Sequence, residues 1–139
     1  MSLSAVRTYL KARLKDTDSS FREWKDGFNS SNIPSNIFNK AFHISYQQSS
    51  TNNIEQIIDS NVTAEVLIFY KGYRNVQSAY DSAMDLSHKL KQKAVNPSNL
   101  SGAIKRVYCD SVTIEPVEDN DNAFIIKLDF TLRMMFTTL

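Results

Sequence analysis

From Phe124 to Phe136 every second residue is apolar: Phe124, Ile126, Leu128, Phe130, Leu132, Met134 and Phe136. Successive side chains of a strand point to opposite faces, so this spacing predicts one long strand with an entirely apolar face. The positions between hold Lys127, Asp129, Thr131, Arg133 and Thr137, with Ile125 and Met135 as apolar exceptions. Such a pattern belongs to a half-buried antiparallel strand.

Elsewhere the period changes to that of helices. Leu3, Val6, Leu10 and Leu14 recur at steps of three and four, with Arg7, Lys11 and Lys15 between them, which predicts an amphipathic first helix capped by Ser2 or Ser4. Ser20-Phe21-Arg22-Glu23 has the form of a capping box, and Phe21, Trp24 and Phe28 share a helical face, so a short helical turn is expected there. Asn32-Ile33-Pro34 follows as an extended link, because a residue before proline avoids the helical region. The clearest helix is Val76 to Ala94, with a stripe of Val76, Ala79, Tyr80, Ala83, Leu86, Leu90 and Ala94. Its Asp81, Asp85, Lys89 and Lys93 run from acidic to basic, in the sense that complements the helix dipole. Asn96-Pro97 stops it.

Alternation returns in four further places. Phe42, Ile44 and Tyr46 predict a strand, and Val62 to Lys71 predicts another. Leu67 and Phe69 make the second face of that strand apolar too, which places it centrally in a sheet. Ala103 to Tyr108 and Ser111 to Val117 read as strands, and Glu118 to Asn122 as a charged hairpin turn into the final strand. The order is helix, strand, strand, helix, strand, strand. Strand pairs joined by turns, with a helix before each pair, predict an α+β fold of two layers: a mainly antiparallel sheet with two helices packed on one face.

Composition narrows the function classes. A chain of 139 residues is expected to form a single domain with a core that needs no staples. No apolar run approaches the roughly 20 residues that cross a bilayer, and the N-terminal residues lack the basic-then-apolar pattern of a leader, so neither membrane nor secretion is expected. Cys109 is the single cysteine, which rules out an intramolecular disulfide. Sixteen basic residues against fifteen acidic ones give +1, without the basic excess of a nucleic-acid binder. The three glycines, Gly27, Gly72 and Gly102, are too far apart for a phosphate-cradling loop.

Chemistry is sparse. His43 and His88 have no companions at metal-ligand or catalytic spacing, so both are read as structural. The run Asp119-Asn120-Asp121-Asn122 lacks the glycine and distal glutamate of a calcium loop. His88, Lys89, Lys91 and Lys93 gather where helix ends commonly collect cations. Cys109 has no dyad to activate it. The spacing of Phe21, Trp24 and Phe28 favours core packing over a partner contact. No catalytic, cofactor-binding or metal-binding residue is assigned, and no enzymatic activity is expected.

With its elements in this order, the chain resembles the tail terminator (tail completion) proteins of tailed bacteriophages. The similar stretches are Asn32-Ile33-Pro34 leading into Ala41-Phe42-His43-Ile44, then the Val62–Tyr70 strand, the Val76–Ala94 helix and the last strand. The likeness covers nearly the whole chain and lies in topology and hydrophobic pattern. It implies a virion protein, assembled in the host cytoplasm, whose homohexameric ring caps the finished tail tube and meets the connector proteins of the head and neck. DNA would be a partner only as it passes through the lumen, which the acidic Glu118, Asp119 and Asp121 would line. Alternatives are another neck or tail-tube subunit, or a small-molecule-binding domain with Tyr70, Tyr73, Tyr80 and Tyr108 around its pocket.

A closed ring needs two different patches on each subunit. Candidate contacts are the second-face residues Leu67, Phe69, Ile125 and Met135, and Ile54, Ile57 and Ile58 in the polar tract from Gln47 to Asn61. That tract is expected to be a long loop between strands, with one helical turn capped by Asn53 bringing the three isoleucines together.

Overall fold

The computed structural model describes residues 4–24, 40–54, 57–72, 75–100, 102, 104–117 and 123–137, with the backbone alone at 4, 47–54, 57–58 and 136–137. Helix α1 (Ser4–Thr17) is followed by a two-residue strand β1 (Arg22–Glu23) and a hairpin of β2 (Ala41–Ile54) and β3 (Ile57–Lys71). Helix α2 (Val76–Val95) leads through a short 3-10 turn (Pro97–Asn99) to the second hairpin, β4 (Ile104–Pro116) and β5 (Ala123–Thr137). The five strands form one sheet in the order β1-β2-β3-β5-β4, antiparallel except for β1 beside β2. This is the two-layer α+β fold that the pattern predicts.

Its core lies between the sheet and both helices. The even residues of β5 from Ile126 to Met134 are wholly buried, and Val62, Ala64, Val66 and Ile68 of β3 meet them on the same face. Val6, Leu10 and Leu14 of α1 and Ala83, Leu90 and Ala94 of α2 close the core from above. Each fully buried large side chain contributes roughly 1.5–3 kcal/mol. The helical stripe is narrower than the sequence pattern implies. Val76 and Tyr80 are exposed, and Ser87 takes a buried place with its hydroxyl donating to the Met84 carbonyl (2.8 Å). Asn75 caps α2 by accepting from the Ser78 amide (2.8 Å). The two helices are tied where the Tyr9 hydroxyl donates to the Ala94 carbonyl.

Three local expectations are corrected. Arg22 and Glu23 are a strand, not a helical turn. The Arg22 amide donates to the Lys40 carbonyl (3.0 Å) and the Trp24 amide to the Phe42 carbonyl (2.7 Å), which holds the backbone extended. Ser20 does not cap a helix; its amide and hydroxyl both donate to Asp18, whose other oxygen pairs with Lys40. Those bonds hold the Asp18 carboxyl down at about 2. Phe21 enters the core edge-on to Phe42, whereas Phe28 and the link Asn32-Ile33-Pro34 lie outside the described residues.

Secondly, the tract from Gln47 to Asn61 is not a loop. Its backbone continues both strands, with Asn53 opposite Ile58 and Ile54 opposite Ile57, so no helical turn gathers the isoleucines. Thirdly, the two strands expected before the acidic turn are one. β4 runs through an irregularity between Cys109 and Ser111, where Asp110 is the extra residue, and the interrupted alternation is the mark of that bulge.

The chain leaves β3 for α2 at Gly72, which is buried against the first turn of the helix. A Cβ there would lie 2.4 Å from the Ala79 Cβ and 2.6 Å from its Cα. Backbone cannot give way as a side-chain tip can. Gly72→Ala is expected to destabilise the fold by about 1–3 kcal/mol, as overpacking does, read as a lower midpoint in urea at unchanged slope.

Candidate interaction surfaces

The sheet face away from the helices is polar along most of its length. It carries Asp59, Glu65, Lys127, Asp129, Thr131 and Arg133, placed there by the same alternation that buries their neighbours. Glu65 stands directly opposite Asp129, a like-charged pair that is unfavourable in a sheet. Lys127, one diagonal away, relieves it with its ammonium 3.4 Å from Glu65, and this hydrogen bond and charge raise the lysine's pKa. Ser111 donates to one oxygen of Asp129 (2.8 Å), while the other is buried with no hydrogen-bond partner among the described residues. Further along, Arg133 binds both oxygens of Asp59 at 3.1 and 2.8 Å.

Near the β1 end the same face turns apolar and is already covered. Phe69 is 1% exposed and packs with Ala41, Trp24, Val117 and Ile125. Phe69 is therefore not the spare surface expected of it; the short β1 segment brings Trp24 over it. Ile125 is partly covered by the same cluster, and Leu67 and Met135 are half-buried. Ile54, Ile57 and Ile58 are at the hairpin end, where Ile57 is opposite Thr137 and Ile58 opposite Phe136.

A groove of about 480 Å³ runs between α2 and the edge strand β4. Tyr80, Met84, His88 and Lys91 line it from the helix, and Cys109, Val112 and Ile114 from the strand. Met84 is 47% exposed, and Tyr80, Tyr108 and Val112 are exposed too. Sequence reasoning places Tyr80 and Tyr108 near a pocket, and Tyr80 does line the groove. Tyr70 lines a separate shallow depression with Asp18 and Lys40, and Tyr73 lies outside the described residues. Met84 was the missed residue. Its signal is an apolar side chain off the helix's buried stripe.

The remaining candidates do not converge. His88 is exposed on α2, and His43, on β2, has its ring nitrogen Nδ1 2.8 Å from the Trp24 carbonyl. Burial pushes the Cys109 thiol up, against the opposing pull of Lys91, which leaves a weak nucleophile. The turn bearing Glu118, Asp119 and Asp121 lies outside the described residues, though Val117 and Ala123 close its base with an amide-to-carbonyl bond of 3.1 Å. Among the described residues no cluster suits a metal ion, and no helix is long and apolar enough to cross a membrane. Comparison with family models and with curated proteins returned no match.

Lys127 is the cation that meets the like-charged Glu65–Asp129 pair on the polar face. Lys127→Met keeps the length of the side chain but removes the ammonium that sits 3.4 Å from Glu65 beside the Glu65–Asp129 pair. The variant is expected to melt below the parent at low salt. The gap should narrow as added salt screens the two carboxylates.

Proposed function

We propose that the chain is a structural subunit of a tailed-phage virion: a tail terminator whose homohexameric ring caps the completed tail tube and joins it to the head connector. The observation that carries this reading is the order of elements. One helix, a hairpin, a second helix and a second hairpin build a single sheet with both helices on one face. That is the architecture the sequence resemblance implies.

Surface chemistry supports the reading in two ways. The polar sheet face mixes both signs of charge, Lys127 and Arg133 with Glu65 and Asp129, and so suits a wall past which DNA slides without sticking. Apolar side chains left on the outside, Met84 and Val112 among them, supply the area that subunit and neck contacts need. The partners of the reading are further copies of the chain, the tail-tube protein and the connector or neck proteins, with no membrane and no cofactor. Its place is the virion, after assembly in the host cytoplasm.

Negative-stain imaging and light scattering of the purified protein, alone and mixed with tail tubes, test this. Rings, or caps on tube ends, are the expected result. A protein that stays monomeric and decorates no tube end overturns the reading. Strong, stoichiometric thermal stabilisation by a small molecule seated in the α2–β4 groove would instead favour the binding-domain alternative.

A further inference from the structure

Among the described residues, the sheet ends in two edges that no further strand pairs. On one side, no described strand pairs with the outer side of β4 over Ile104–Pro116. On the other, β1 pairs only with Ala41 and Phe42, and no described strand lies outside β2 from Gln47 to Ile54. Unpaired edges template strand addition, and proteins that must keep them free protect them with charge, proline or brevity. β2 is long, and Gln47 to Ile54 carries no charge and no proline, whereas β4 bears Lys105, Arg106, Asp110, Glu115 and a terminal Pro116, which guard it against pairing with a second β4.

We infer that the two edges are made for each other, so that β4 of one copy pairs with the Gln47–Ile54 edge of β2 in the next. Direction permits it. Each neighbour in the order β2-β3-β5-β4 is antiparallel to the last, so β2 runs opposite to β4. A second copy turned about an axis along the strands therefore offers its β2 antiparallel to β4, and the alternation continues across the join. Charge permits it too. Lys105, Arg106, Asp110 and Glu115 of β4 would face an uncharged strand, with no like-charge pair in any register. The exposed Tyr80, Met84 and Val112 beside β4 would be covered by the same neighbour. Because the two edges differ, the contact is heterologous, and repetition about one axis closes a ring. The inference deepens the ring reading above and rests on it only for closure.

Cys109, the single cysteine, is the probe. Single cysteines are placed by turns at each position from Gln47 to Ile54 in the full-length protein, which is concentrated and oxidised with copper-phenanthroline. Opposed residues of an antiparallel pair bring Cβ atoms within disulfide range. Cross-linking is expected at alternate positions, since only one face of β2 meets the Cys109 side chain. The products should be ladders beyond the dimer, because each subunit then carries one reactive group on each edge. Adding Cys109→Ser should abolish the ladder. Cross-linking that stops at a Cys109–Cys109 dimer means pairing of β4 with β4 and overturns the proposal, as does the absence of product at every position from Gln47 to Ile54. Rings seen by negative stain without such ladders would overturn this interface and leave the ring reading standing.

Discussion

The pairing of β3 with β5 is the constraint from which the rest of the molecule follows. It runs from Ile57 opposite Thr137 to Lys71 opposite Ala123 without a register shift, whereas the β2–β3 pairing contains one and the β4–β5 pairing two. The even residues of both strands share one face, so a slip by a single residue would turn one strand's apolar set to the polar side. Burying Val62 to Ile68 against Ile126 to Leu132 thus fixes the register, and the register fixes the opposite face. Glu65 meets Asp129 there as a consequence, and Lys127 and Ser111 compensate for a pairing that the core imposes.

The same constraint sorts the surfaces. The helices are held to the apolar side, α1 through Val6, Leu10 and Leu14, and α2 through Ala83, Leu90 and Ala94. Met84 and Tyr80 lie off that buried stripe and stay exposed beside β4, Tyr80 with its ring edge-on to Phe124 of β5. The bulges in β2 and β4 fall on the outer strands, where irregularity does not disturb the central pair. What remains for partners is therefore at the margins: two strand edges, the groove along one of them, and the hairpin end.

Much of this was legible in the sequence because the central strands carry the strongest alternation. Phe124 to Phe136 and Val62 to Lys71 read directly as strands, and Leu67 with Phe69 marked β3 as interior to the sheet. The hairpin end was illegible for a physical reason. Gln47 to Asn53 has no apolar alternation, and its strand conformation is imposed by pairing with β3. Ile54, Ile57 and Ile58 sit at helical spacing by coincidence of a tight hairpin. Arg22 and Glu23 misled in the same way, since a capping-box pattern is local while the bonds to Lys40 and Phe42 are not. Phe69 looked available because alternation tells which face a side chain is on but not what covers that face. Trp24, a distant residue in the sequence, covers it.

Native-state hydrogen exchange followed residue by residue tests the central claim most directly. If the β3–β5 pair is the frame, the amides of Val62–Ile68 and Ile126–Leu132 exchange last, through global unfolding alone, while β4, α2 and the hairpin end open earlier by local routes. Amides of α2 or β4 that outlast those of the central pair would contradict the account.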